Sequence, residues 1–235
     1  MLTIGIAGIT VGIENRYRHI EYISRDYVTS GEPAFTVRAS DEEIAAERLA
    51  SGGEYNDAYL ESTVIHRKIA ERLWEIDAFV LHGAVISVDG AAYAFTAASG
   101  TGKSTHTRLW CERFGERVEY VNGDKPIVRF IDGVPYVYGT PWRGKEGYGR
   151  NVSVPLRGIA YLERSVSNFA EELSFDEISS ELMSRVYLPR TPLGAARTLG
   201  LVGRLASDMR HIRLGCNMET EAAEVAARAF GIAVV

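Results

Sequence analysis

Ala97-Ala98-Ser99-Gly100-Thr101-Gly102-Lys103-Ser104-Thr105 is the stretch on which the fold of this chain turns. Positions 97–104 follow the pattern G-x-x-x-x-G-K-[ST], with Ala97 in place of the first glycine. Gly100 and Gly102 let the backbone turn sharply, so that successive N–H groups face inward. Together with the N-terminus of a following helix they make an anion site. Lys103 then reaches the β- and γ-phosphates of ATP, and the Ser104 hydroxyl reaches Mg2+. Ser99, Gly100, Thr101, Gly102, Lys103, Ser104 and Thr105 are the expected nucleotide-binding set. The competing reading is a glycine-rich turn between strand and helix with an exposed lysine.

The flanks fit the first reading. Upstream, Phe79–Val88 is strand-like, Asp89-Gly90 signals a tight hairpin, and Ala91–Ala97 returns as a strand into the loop. Downstream, a helix runs to about Phe114 and a strand, Val118–Val121, ends at Asn122-Gly123-Asp124. In doubly wound sheets sites form at the carboxyl ends of strands, so Asp124 can face Lys103 and Ser104. Asp124 can anchor the metal, accept the proton of an attacking hydroxyl, or merely cap its own turn. Lys125 beside it favours the ionised form.

His82 lies in the apolar strand before the hairpin, where it either contacts the γ-phosphate or acceptor or is a satisfied structural histidine. Gly139–Asn151 is too rich in glycine for a regular element and carries Trp142, Arg143 and Lys145. Arg143 and Lys145 can stabilise charge on a transferring phosphoryl group, or the segment is a mobile surface loop with solvated charges. Trp142 stacks on a base or packs under the loop. The candidate catalytic residues are thus Asp124, Lys103, His82 and Arg143, with Ser104 and Asp124 as metal ligands.

Elsewhere, Leu2–Val11, His19–Ile23 and Ala34–Val37 read as strands. Ser40-Asp41-Glu42-Glu43 is a capping box opening a helix to about Ala50, and Asn56–Ile76 is a long amphipathic helix. Pro126–Ile131 and Val134–Tyr138 flank Asp132-Gly133 as a second hairpin. Gly158–Leu162 and His211–Leu214 read as strands, and Phe175–Tyr187, Pro192–Met209 and Glu219–Phe230 as helices. The boundary falls near Asp77, giving a small α+β lobe over 1–77 and a nucleotide-binding core over 78–235.

The 235 residues, 46% of them hydrophobic, suffice for one sizeable core with a small accessory lobe. The net charge of −5 and the absence of a basic stripe argue against nucleic acid as a partner. Cys111 and Cys216 form no CxxC pair and no zinc spacing, and read as free thiols in a reducing compartment. The apolar start lacks a basic n-region and a cleavage site, and no stretch approaches the ~20 residues of a membrane helix. A soluble, cytoplasmic protein is expected. The oligomeric state is left open, a homo-oligomer included.

Taken together, Leu81-His82-Gly83, Ser99–Thr105, Asp124-Lys125-Pro126 and Gly139-Thr140-Pro141-Trp142 resemble the HPr kinase/phosphorylase group, and most of all the small bacterial HPr-kinase-related proteins. ATP-type phosphoenolpyruvate carboxykinase carries a similar loop and acid. The resemblance covers Phe79–Glu163. It implies an α/β, P-loop kinase core of the HPr kinase / phosphoenolpyruvate carboxykinase type. It also implies Lys103 on the phosphates, Ser104 on the metal, Asp124 as the acid–base residue and His82 near the γ-phosphate.

Three departures stand out. Ala97 replaces a common Gly, Gly123 replaces a second Asp, and the C-terminal signature that grips a protein substrate is not evident. The expected activity is ATP- and Mg-dependent transfer to a hydroxyl, a Ser of a small protein or peptide or else a small molecule. The alternatives are a non-catalytic nucleotide-binding sensor or scaffold, and carboxykinase activity itself.

Overall fold

In the computed structural model, which describes residues 1–234, the chain begins β1 (Leu2–Ile6), β2 (Ile9–Glu14), α1 (His19–Ile23), β3 (Phe35–Arg38), α2 (Asp41–Ala50) and α3 (Asp57–Ala70). It continues β4 (Ala78–Val80), β5 (Ala84–Val88), β6 (Ala91–Thr96), α4 (Lys103–Phe114), β7 (Val118–Asn122), β8 (Ile127–Ile131) and β9 (Val134–Tyr138). It closes with β10 (Ser153–Arg164), β11 (Phe169–Glu172), α5 (Phe175–Met183), α6 (Pro192–Asp208), β12 (Arg210–Cys216) and α7 (Glu221–Phe230). The fold is mixed α/β.

Alternation along the strands explains why the large sheet is covered on both faces. Val85, Ala92, Ala94 and Val121 point into one apolar cluster with Ile178 and Leu182 of α5 and Leu201, Val202 and Leu205 of α6. Their neighbours Ile86, Val88, Tyr93 and Phe95 point into another with Leu109 and Trp110 of α4 and the alanines of α7. The strand order is β4-β8-β9-β10-β6-β5-β7, with β12 on β10 and β11 on β12. β10 curls the sheet: Ser153, Val154 and Pro155 pair antiparallel with β9, whereas Gly158–Tyr161 run parallel between β6 and β12. Both Asp-Gly hairpins form, with positive φ at Asp89, Gly90, Asp132 and Gly133.

Two expected helices are shorter than expected, Phe175–Tyr187 ending at Met183 and Asn56–Ile76 being α-helical only to Ala70, and three further expectations fail for identifiable reasons. Leu2–Val11 is a hairpin, not one strand: Ala7 and Gly8 take positive φ, and the Arg129 guanidinium from β8 donates to the Ala7 carbonyl at 2.6 Å. His19–Ile23 is a helix, because Ile20 and Ile23, three apart, turn inward toward α3. Phe79–Val88 breaks at His82-Gly83, where the chain leaves the edge pairing of β4 with β8 and enters the centre as β5. A further strand, β11, carries no clear apolar alternation and is missed from sequence. The three-stranded sheet β1-β2-β3 and α3 share an apolar cluster with Ala78, Val80 and Ile127, so one core spans both sides of Asp77. Among the described residues no helix is long and apolar enough to cross a membrane.

His106 of α4 lies between Phe95 and Trp110 and is 2% exposed. Its Nε2 accepts from the Trp110 indole at 3.0 Å, and burial pushes its pKa from 6.5 down to about 3. Between those values the unfolded chain binds a proton here that the folded chain does not, so stability falls on acidification by up to about 1.4 kcal/mol per pH unit. Guanidinium midpoints measured at pH 7, 6 and 5 should decline below pH 6.5, and less steeply in His106→Gln. Identical slopes in the two proteins would count against a neutral buried imidazole.

Candidate functional site

The loop of residues 97–102 leaves the end of β6 and enters α4 at Lys103. Gly100 and Gly102 have φ of 77° and 124°, conformations that side-chain-bearing residues rarely adopt. The Lys103 ammonium bonds the Ala97 carbonyl at 3.2 Å, so the lysine folds back over the loop. Helices α2, α3, α5 and α6 each begin under a side-chain cap, from Ser40, Asn56, Ser174 and Thr191. At α4 the capping place belongs to Gly102, which has no side chain to offer, so the first-turn amides of Lys103, Ser104 and Thr105 are free for an anion. Across the sheet, Arg164 at the end of β10 donates to the Gly100 carbonyl at 2.7 Å and more loosely to Thr101 at 3.5 Å. It ties down two carbonyls of the loop, while the Thr101 amide is bonded back to the Ala98 carbonyl at 3.3 Å.

Asp124 is placed by its neighbour Asn122, which is fully buried at the end of β7. The Asn122 Oδ1 accepts from the amides of Asp124 and Lys125 at 2.9 and 2.8 Å, and its Nδ2 donates to the Thr140 carbonyl and hydroxyl at 3.1 Å. The break after β4 brings His82 to the same place: the Gly83 amide donates to the Asp124 carbonyl at 3.0 Å, and His82 Nε2 lies 3.3 Å from Asp124 Oδ1. Lys125 Nζ lies 3.4 Å from the same oxygen.

Burial works to raise the Asp124 pKa, but the His82 hydrogen bond and the charge of Lys125 outweigh it, and the carboxyl sits below its usual range. Burial lowers the Lys103 pKa; the Asp124 carboxylate opposes this, and Arg185 and Lys125 add to it. His82 and Lys125 therefore meet on the Asp124 carboxylate, and Lys103, with Ser104 and Thr105 on the first turn of α4, lies within range of its charge.

Arg143 is placed differently. Its guanidinium bonds Asp26 at 2.8 Å and lies over the Tyr27 ring, 5.3 Å from its centroid. Trp142 packs under the loop: its indole donates to the Ser62 hydroxyl and carbonyl of α3 at 3.0 and 3.2 Å, and the His66 ring lies 4.7 Å away. Asn151 adds a bond to the Asp26 carbonyl at 3.1 Å. The Gly139–Asn151 loop is thus stitched to the N-terminal sheet and α3.

The same stitching explains Gly123. A Cβ there would meet the Arg143 carbonyl at 2.6 Å and that of Tyr148 at 3.2 Å. The backbone of the loop occupies the space that a second acid's side chain would need.

Among the described residues no group of three or more His, Cys, Asp or Glu side chains could hold a metal ion. The donor set at the cleft is one hydroxyl, Ser104, and one carboxylate, Asp124. That suits Mg2+ held largely by phosphate oxygens and water, and not an all-protein cage. Sequence reading missed the roles of Asn122, Thr140, Arg164 and Arg185, each of which depends at least in part on a partner well away along the chain, Thr140 for Asn122, the 100–101 loop for Arg164 and His82 for Arg185. Only Asn122, an Asx residue beside a glycine, carried a local signal.

No protein-family model matches the sequence, and no curated protein does. Among solved structures, the HPr(Ser) kinase/phosphatase from Coxiella burnetii is similar over 63% of this chain and 93% of that one, at 9% sequence identity and a TM-score of 0.38.

Replacing Gly123 by Asp should lower stability by roughly 1–3 kcal/mol, because backbone and not a flexible side chain must give way. Denaturant midpoints of Gly123→Asp and wild type measure this. An equal or higher midpoint in the variant would mean that the loop yields freely.

Proposed function

We propose that this protein is an ATP- and magnesium-dependent kinase that transfers the γ-phosphoryl group to a hydroxyl. The observation that carries the reading is that the uncapped start of α4, with Lys103, lies within charge range of a carboxylate kept ionised by His82 and Lys125. The free amides and the ammonium group bind polyphosphate, and Asp124 faces the acceptor.

The acceptor oxygen forms a bond to the γ-phosphorus as its proton passes to Asp124, and the bond from that phosphorus to the β–γ bridging oxygen breaks, releasing ADP. A carboxylate with a depressed pKa is a weak base. That suffices where the transition state is loose and the proton leaves late. His82 holds the carboxylate in place through its Nε2. Lys103 balances charge on the β- and γ-phosphates, and Arg164 keeps the loop closed around them. Ser104 and Asp124 are the residues that would hold Mg2+, which when bound would neutralise phosphate charge.

A serine of a small protein or peptide is the acceptor class we favour. Burial raises the Tyr59 pKa, with the charges of Tyr55 and Asp124 adding to it, and the Tyr59 ring stacks on Tyr55 with ring centroids 4.6 Å apart, both rings somewhat under half exposed. Such an aromatic wall beside the base suits a polypeptide better than a small polar alcohol.

The second reading, a nucleotide-binding module without chemistry, draws on Gly123 in place of a second acid. Two variants separate them. Lys103→Ala should weaken Mg·ATP binding about tenfold or more by calorimetry, a loss of at least ~1.4 kcal/mol. Asp124→Asn should bind Mg·ATP nearly as wild type does and lose phosphoryl transfer to serine-containing peptides. Transfer undiminished in Asp124→Asn would sink the assigned base. Binding without transfer in wild type, across proteins, peptides and small alcohols, would favour the module.

A further inference from the structure

We propose that Arg185 is the cation that meets the transferring phosphoryl group, the role that the sequence assigns to Arg143. The inference rests on the kinase reading and deepens it.

After α5 ends at Met183, the chain runs antiparallel to the end of β4 and the residues that follow it. Val186 bridges Leu81, the His82 amide donates to the Arg185 carbonyl at 2.7 Å, and the Tyr187 amide donates to Val80 at 3.1 Å. A register that pairs Leu81 with Val186 sets Arg185 directly opposite His82. Residues so opposed project from the same face, with Cβ atoms about 5 Å apart. His82 is the residue whose ring touches Asp124, so Arg185 emerges on the carboxylate's side of the sheet.

The Arg185 side chain is 20% exposed, and its ion-pair contact is a single long one, 3.5 Å from Nη2 to Glu181 Oε2. Its Nε is buried and has no hydrogen-bond partner in the protein. The planar fork therefore keeps donors to spare. The charged groups around it are Lys125 and His82 on the Asp124 carboxylate, Lys103 folded over the loop, and Glu181 beside Arg185 itself. Arg143 likewise has a buried Nε without a partner, but its Nη2 bonds Asp26 at 2.8 Å and its guanidinium lies over the Tyr27 ring.

During transfer, negative charge gathers on the equatorial oxygens of the phosphoryl group and on the departing bridging oxygen. A guanidinium presents two parallel N–H donors to such oxygens and stays protonated throughout. Lys103 holds the phosphates in ground state and transition state alike, whereas Arg185 acts chiefly in the transition state.

Fluoroaluminate, a mimic of the phosphoryl group in flight, separates the two roles. Mg·ADP is titrated calorimetrically into wild type, Arg185→Lys, Arg185→Gln and Arg143→Gln, with and without fluoroaluminate, and thermal melting checks that each variant is folded. Wild type should bind Mg·ADP on the order of tenfold more tightly with the mimic, Arg185→Gln should lose that gain while binding Mg·ADP alone within about threefold of wild type, and Arg185→Lys should keep part of it. A full gain in Arg185→Gln, its loss in Arg143→Gln alone, or no gain in wild type that does bind Mg·ADP overturns the inference. Wild type that binds no Mg·ADP overturns the kinase reading itself, and this inference with it.

Discussion

A buried amide has no water to fall back on, and the cleft depends on how Asn122 resolves that constraint. Its carbonyl end takes the two amides that follow the turn, and its amino end takes the Thr140 carbonyl and hydroxyl. Thr140 in turn donates to the Lys125 carbonyl at 2.8 Å. One side chain thereby fixes the backbone that carries Asp124 and the root of the loop that covers it. A buried network of this kind is worth little more than its neighbours when complete, and costs a great deal when one member is missing. The backbone of Asp124 is thereby held, and His82 and Lys125 then orient its carboxylate.

Around that fixed point the sheet collects groups from distant parts of the chain. β6 and α4 bring Lys103, the break after β4 brings His82, the segment after α5 brings Arg185, and the end of β10 brings Arg164. The curl at β10 makes this convergence possible, since one strand passes from the partners of β9 to those of β6 and β12. The electrostatics follow from the company each group keeps. One carboxylate among several cations is driven ionised, and a half-buried ammonium among cations is driven toward its neutral form.

The parts of this arrangement legible in the sequence are those governed by local chemistry. Asp89-Gly90 and Asp132-Gly133 turn where such pairs turn, Ser40 and Glu43 close a capping box, and β6 runs through a glycine-rich loop into α4. The parts that were not legible are decided across the chain. Ala7-Gly8 turns with Arg129 bonded to its carbonyl, 122 residues away, and the apolar run through His82 breaks because two different strands claim its halves. Arg143 and Arg185 look alike in sequence. Each has a carboxylate beside it, Asp26 or Glu181, and what separates them is that the backbone pairing sets His82 opposite Arg185. That pairing joins segments about a hundred residues apart, which composition and spacing do not record.

The seam between the N-terminal sheet and the large one has an evolutionary corollary. Ile4, Ile6, Val11 and Ile69 share their cluster with Ala78, Val80 and Ile127, and Asp26 and Ser62 hold the loop that shields Asp124. The first 70 residues are therefore a buttress and not a passenger. Shuffling them between relatives would require the graft to bring along its apolar footprint and both anchors at once, so recombination is constrained to breakpoints on the far side of α3. The exposed tyrosines of that buttress, Tyr55 and Tyr59, lie outside the shared core and are open to change one at a time.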